Sequence, residues 1–206
     1  MSKFAILIDG GFVRTKLGSK LNPMDCADLE TFLENLRKHA ALEKSTLHRI
    51  YFYDASPLTT AIKNPLDGTV TNLGASQIAI KSAVLHQAVG RLPFMALRMG
   101  ELAFRGWVLQ KKILKTPSAT KTITATSIRP DVHQKGVDMR IGLDIASLTL
   151  KNQAQIIVLI TGDSDFVPAM KFARKEGAQL FLVPIGHAIK DTMREHADLI
   201  LDVPIN

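Results

Sequence analysis

Cysteine is almost absent from this chain: Cys26 stands alone among 206 residues, which excludes an internal disulfide. Long apolar runs are missing too, and none reaches the ~20 residues that a membrane helix needs. The opening "MSKFAILIDGG" has one lysine and a short apolar run before Asp9, too little for a secretory signal. The chain is therefore expected to be cytoplasmic and reduced, with no membrane partner. His39, His48, His86, His133, His187 and His196 are scattered without the spacing of metal ligands. No G-x-S-x-G or Walker motif occurs, and Gly10-Gly11 is too short for a phosphate-binding fingerprint. Acidic residues are missing from one stretch: none lies between Glu101 and Asp131.

What is present is ordinary globular composition. Hydrophobic residues make up 46% and charged residues 22%, which argues against global disorder. At this length the expectation is a single domain over 1–206 with room for a sizeable core. Lysine and arginine number 26 against 19 acids, a net charge of +7, which suits a polyanionic partner. The surplus is concentrated where the acids are missing. Arg105, Lys111, Lys112, Lys115, Lys121 and Arg129 fall there, in a Ser/Thr/Lys-rich stretch expected to form an exposed loop or hairpin insertion at about 105–130. Arg14 and Lys16, in the segment after the first apolar run, and Lys135 join them as candidate RNA contacts. The plainer reading of such a run is a solvated basic surface.

Apolar runs and helical periodicities alternate. "FAILID" (4–9) predicts a buried strand, and "GGFVRTKLGSKLN" a Gly-rich basic connection. Asn22-Pro23 predicts a helix start, Asn as cap and Pro at the first helical position, with Leu29, Phe32, Leu33 and Leu36 as its apolar stripe. "LHRIYFYDA" (47–55) predicts a strand, "PLTTAIKNPLDGTVTNLG" turns, 75–90 a helix ending on Gly90, and "PFMALRMGELAFRGWVLQ" one or two extended segments. Beyond the basic stretch come a helix at 136–152, the strand "QIIVLITGD", a helix stopped at Gly177, the strand "AQLFLVP", a helix at "HAIKDTMREHAD" and a short strand at "LILDVP". Such alternation implies α/β architecture with a mostly parallel sheet covered on both faces. Ligands in such sheets gather at the carboxyl ends of the strands.

Acids gather at those ends. Asp9 closes the first strand and Asp163 follows "IIVLIT". Asp165 lies near the start of the next helix, and Asp138 at the start of the helix 136–152. Each has a bland alternative: a helix cap, a dipole partner or a turn. Four carboxylates converging on one edge would repel one another and resist ionisation. A hard divalent cation, Mg²⁺ or Mn²⁺, removes that conflict by taking carboxylate oxygens and waters. The chemistry such a site suggests is phosphodiester hydrolysis by metal-activated water, with Asp9, Asp138, Asp163 and Asp165 as catalytic and metal-binding residues. Asp144 lies about 240° around the helix from Asp138, so it and Ser164 are expected to support the site rather than touch the metal. A haloacid-dehalogenase-type phosphatase would need a second aspartate two residues after the first, where this chain has Asp9-Gly10-Gly11.

"LIDGGF" (7–12), "YFYDA" (51–55), "QKGVDMRIGLDI" (134–145) and "TGDSDFVPAMKFARKEGAQLFLVP" (161–184), in that order, resemble the NYN-domain family, the LabA-like branch of the PIN-like nuclease superfamily. The resemblance spans nearly the whole chain. It implies a Rossmann-like, PIN-like three-layer sandwich and a metal-dependent ribonuclease, with metal-binding acids at Asp9, Asp138, Asp163 and Asp165. Where such proteins often carry an asparagine three residues after the first aspartate, this chain has Phe12. The alternative reading is a non-catalytic regulatory module that binds RNA or protein through the same fold. A homodimer is among the partners that either reading admits.

Overall fold

The computed structural model of the protein describes all residues except Lys20, Thr116, Ala119 and Asn206. In chain order its elements are β1 (Ser2–Asp9), α1 (Gly10–Leu17), α2 (Cys26–Arg37), β2 (Ser45–Ser56), β3 (Ala61–Lys63), β4 (Val70–Asn72), α3 (Gln77–Val89), β5 (Met95–Leu109), α4 (Lys111–Leu114), β6 (Ile128–Lys135), α5 (Val137–Leu150), β7 (Ile156–Ile160), α6 (Val167–Lys175), β8 (Gln179–Val183), α7 (Asp191–Glu195) and β9 (Leu199–Ile200). The main sheet has seven strands in the order β6-β5-β2-β1-β7-β8-β9. Every pairing is parallel except the antiparallel edge pair β5–β6.

Alternation of side chains across the pleat explains the layers. On β1, Phe4, Ile6 and Ile8 face one core together with Val13 of α1, Leu29, Phe32 and Leu36 of α2, and Leu85 and Val89 of α3. Ala5 and Leu7 face the other, against Ile141, Ile145 and Leu148 of α5 and Met170 of α6. All five residues of β7 are buried, as a central parallel strand requires. The result is a three-layer α/β sandwich, as the alternation of elements predicts.

Local departures have physical causes. The Gly-rich segment after β1 is a helix, α1, not a connection. Gly10 is there for close approach: a Cβ on it would stand 2.5 Å from the Tyr53 carbonyl oxygen. The second helix starts at Cys26 rather than at Pro23, because Asp25 and Asp28 form a reciprocal capping box at 2.9 and 3.0 Å. The turn-rich segment after β2 contains the antiparallel pair β3–β4. The extended segment 93–110 is one long strand, β5, with an irregularity between Phe104 and Trp107. β6 is a strand where sequence pattern predicts none beyond Pro130, since its exposed face is polar and it lies at the edge of the sheet. The last predicted helix shortens to the single turn of α7. No helix among the described residues is long and apolar enough to cross a membrane.

Two glycines make opposite demands on this framework. Gly100, where β5 passes the start of α5, has no space for a Cβ, which would lie 2.5 Å from the Lys135 carbonyl oxygen and 2.6 Å from Val137 Cγ2. Gly142 sits inside α5 with its nearest neighbour at 4.0 Å. Gly100→Ala is expected to cost about 1–3 kcal/mol, a loss of roughly 2–10 °C in Tm. Gly142→Ala is expected to raise Tm by about 1–4 °C, because alanine restricts the unfolded chain and favours helix. Thermal melts followed by circular dichroism check both. An unchanged Gly100→Ala would contradict the packing at the β5–α5 junction.

Candidate active site

β1 and β7 are neighbours in register, Ile8 opposite Ile160, so the residues that follow them emerge side by side at one sheet edge. Asp9 Oδ1 accepts from the Phe12 N–H at 3.1 Å and so caps α1. Its Oδ2 accepts from the Thr161 hydroxyl at 3.0 Å. Thr161 is fully buried, and its oxygen also accepts from the Asp163 N–H at 3.2 Å. One hydroxyl therefore ties the two strand ends together. Asp163 Oδ1 accepts from the Asp165 N–H at 2.9 Å, opening the 3-10 turn Ser164–Phe166 that runs into α6. Asp138 lies in the first turn of α5, delivered there by Gly136 in the left-handed region at φ 76°. The capping roles of Asp9 and Asp163 are thus real; both Asp9 oxygens accept a hydrogen bond, while Asp163 Oδ2 accepts none among the described residues.

Asp9 and Asp138 sense the charges of their acidic neighbours. Burial pushes the Asp9 carboxyl above the ordinary carboxylate range, against the hydrogen bonds from Phe12 and Thr161, and the charges of Asp138 and Asp163 push it further. Burial, then Asp163 and Asp165, raise Asp138. No lysine or arginine among the described residues forms an ion pair with any of the four. The cluster is open: among the described residues no three His, Cys, Asp or Glu side chains already stand close enough to enclose a metal ion. A hard divalent cation fits this donor chemistry, because it needs only one or two protein carboxylates and fills its shell with water.

Other predicted residues divide. Ser164 Oγ accepts from Lys190 Nζ at 2.8 Å, which places a cation beside the acidic turn. Asp144 is turned away: its Oδ2 accepts from Arg98 Nε at 2.7 Å and the Tyr53 hydroxyl at 2.8 Å, and its Oδ1 from Arg98 Nη2 at 2.6 Å. Arg14, read above as an RNA contact, points inward. Its Nη1 donates to Asp54 at 2.9 Å and its Nη2 to Ser82 at 2.8 Å. Burial works against ionisation of Asp54, but His86, the Ala55 N–H and Arg14 outweigh it and hold that carboxyl below its ordinary range. Lys16 lies 5.7 Å above the Phe12 ring. Arg105 rides on β5, and Arg129 and Lys135 on β6. Lys111 and Lys112 are exposed on α4, with Lys115 just after it, and Lys121 lies in the connection to β6.

Sequence reasoning missed Thr161, His187 and Lys190. Thr161 ends a strand between two acids, and a hydroxyl there is the natural bridge. His187 and Lys190 follow β8, so the rule that strand carboxyl ends carry function points to them. His187 packs edge-on to Phe12 with ring centroids 5.8 Å apart, over Gly162, whose Cβ would stand 2.4 Å from the imidazole.

The raised Asp138 has a sign that can be tested. The folded state holds that proton more tightly than the unfolded chain does. Its stabilising effect is complete below the ordinary carboxylate value and is lost as pH rises through the raised one. At neutral pH the ionised Asp138 therefore strains the metal-free fold. Asp138→Asn is expected to raise the metal-free Tm by about 1–2 °C at neutral pH, and the gain should vanish in acid. A lower Tm at neutral pH would mean that attraction to the α5 N-terminus outweighs the repulsion.

The family model for the NYN domain matches residues 3–203. Among solved structures, a protein of unknown function from Vibrio parahaemolyticus RIMD 2210633 superposes with a TM-score of 0.52 at 13% identity, over 97% of this chain and 91% of that one. At that identity the likeness concerns the fold alone. No curated protein matches significantly.

Proposed function

Because the chain belongs to the NYN-domain family, whose domain is of the PIN-like nuclease type, we propose that it is a Mg²⁺- or Mn²⁺-dependent ribonuclease hydrolysing RNA phosphodiester bonds. The observation that carries this reading is the edge of carboxylates in which Asp9 and Asp138 feel their acidic neighbours and none of the four has an ion-pair partner among the described residues. Asp9, Asp138, Asp163 and Asp165 would hold the cation. Once bound, that ion supplies water activation and neutralises charge on the phosphodiester. The protein's own part is positional. Thr161 fixes Asp9 relative to Asp163. Hydrogen bonds engage both oxygens of Asp9 and one of Asp163, and each carboxylate oxygen keeps a further lone pair for the cation. Lys190, held at Ser164, brings positive charge beside the acids, where a phosphate would arrive. The basic residues of the β5–β6 hairpin, Arg105, Lys111, Lys112, Lys115, Lys121 and Arg129, with Lys16 and Lys135, are proposed to track the RNA backbone. The net charge of +7 favours approach of such a polyanion.

Asp163→Asn tests the site, because asparagine keeps the cap and removes the charge. Cleavage of single-stranded and structured RNA with Mg²⁺ or Mn²⁺ is expected to fall by roughly 100-fold or more, while metal-free stability holds or rises. The rise of Tm with metal concentration expected for the native protein should shrink in the variant. Full activity in this variant would overturn the acidic edge as the site of cleavage, whereas no metal-dependent cleavage by the native protein would overturn the nuclease reading and leave a binding module.

The hairpin makes a separate prediction. Each phosphate neutralised on a single strand contributes about 0.7 to the log–log salt slope. Changing Lys111, Lys112 and Lys115 together to Gln should flatten the slope by up to about 2 units for every RNA sequence. The rate at saturating RNA should stay near wild type. Filter binding across a salt series measures it, and an unchanged slope would make these lysines ordinary solvated surface.

A further inference from the structure

A cavity of about 550 Å³ lies across the sheet edge from the acids. It is bounded by α1, α3, the end of β2 and the β5–β6 hairpin. Its volume is that of a small-molecule site. The acid cluster and the proposed phosphate contacts do not account for it.

The lining combines apolar walls with the polar groups of Arg14, Thr15, Asp54, Ser76, Ser82 and Gln134. Leu58, Leu73, Leu102 and Val132 supply the walls. At the floor, buried Ser82 accepts from Arg14 Nη2 at 2.8 Å, and its own O–H has no acceptor among the described residues. At the rim, the exposed Gln134 offers a carboxamide whose donor and acceptor are both unused among the described residues. The floor is rigid, because Arg14 and His86 both hold Asp54 at 2.9 Å. Flat apolar walls with a few fixed donors and acceptors suit a heteroaromatic ring better than a hydrocarbon chain, which would leave those polar groups unsatisfied.

Position names the ring. Gly11 lines the cavity, and a Cβ on Gly11 would stand 3.5 Å from Asp9 Oδ1. The cavity and the acids therefore share the start of α1 as a wall. Val132 and Gln134, which line the cavity, come from the strand that also carries Arg129 and Lys135. Protein recognition of single-stranded RNA works by splaying out unstacked bases and bonding their edges.

We propose that this cavity receives one unpaired nucleobase of the RNA strand, next to the nucleotide whose phosphate reaches the acids. The proposal rests on the ribonuclease reading for its substrate. It adds that the protein reads a base, with Gln134 and Ser82 contacting the base edge and Leu58, Leu102 and Val132 its faces. Cleavage would then depend on the identity of the base at one position beside the cut.

The test uses the full chain and needs no cleavage. Leucine and valine methyl resonances are followed while AMP, CMP, GMP, UMP or ribose 5-phosphate is added. At least one mononucleotide should shift the methyls of Leu58, Leu102 and Val132 saturably, and ribose 5-phosphate should not. Val132→Trp, which fills the cavity from an exposed edge strand, should abolish the shifts at an unchanged Tm. Gln134→Ala should weaken binding and alter the preference among the four. In a second arm, an abasic site is moved along an oligoribonucleotide. One position should lower affinity roughly tenfold for the native protein, and none should do so for Val132→Trp.

Absence of methyl shifts with all four nucleotides, or equal shifts with ribose 5-phosphate, overturns the base pocket. Shifts without any abasic effect overturn its use by a strand and leave a free-nucleotide site. Positive results in both arms, with no metal-dependent RNA cleavage by the native protein, would remove the nuclease reading alone.

Discussion

The end of β1 carries a half-buried carboxylate between two apolar strands, and the rest of the edge is arranged around that constraint. Asp9 must be satisfied where water is scarce. It takes one hydrogen bond from the start of α1 and one from Thr161. The first requires the chain to turn into a helix at once, which in turn requires Gly10 to pass under the Tyr53 carbonyl. The second fixes β7's exit to β1's exit and, through the Asp163 N–H, sets the start of the following turn. Side-chain and backbone hydrogen bonds thus position the acids without neutralising them. Their charge remains uncompensated among the described residues, a state a structural cap alone does not need.

Much of this was legible in the residues. Continuous apolar runs at 4–8 and 156–160 mark central parallel strands because burial on both faces removes polar alternation. Aspartates directly after those runs must then lie at the carboxyl edge. The grouping of Asp9, Asp138, Asp163 and Asp165 follows from topology, without contact information. What was not legible depends on tertiary contacts. α1 hides behind two glycines that look like a loop signal, and their role in close approach appears only against β2. Asp25 displaces Asn22 as helix cap because Asp28 can answer it, a pairing that outweighs Pro23. β6 escapes notice because an edge strand with a polar face has little hydrophobic pattern to read.

Arg14 shows why charge in sequence is a poor guide to contact. It sits in a basic segment, one turn from Asp9, and reads as a phosphate ligand. The fold instead spends it on Asp54, whose burial would otherwise favour the protonated form. A carboxylate buried at the end of β2 needs partners, and Arg14 and His86 supply them. Two aspartates at neighbouring strand ends thus have opposite environments. Asp54 is paired with Arg14 and hydrogen-bonded to His86 and held below its ordinary range, while Asp9 has no ion-pair partner among the described residues and is held above it. The contrast separates a structural acid from a candidate functional one more sharply than motif position does.

The replacement of a common asparagine by Phe12 belongs to the same logic. At this position a polar side chain would reach toward the acids. Phe12 instead packs on His187 over Gly162, with Lys16 above its ring. Gly162 has no room for a side chain, so the aromatic pair sits directly on the backbone between Thr161 and Asp163. The edge therefore has an aromatic and cationic flank formed by Phe12, Lys16, His187 and Lys190, and an apolar cavity on the far side of α1. A polyanion with planar bases would meet positive charge and ring surface on one side and a ring-sized recess on the other, with the uncompensated acids between them. These physical demands are those of a nucleic-acid strand, and they arise from residues outside the acidic motifs themselves.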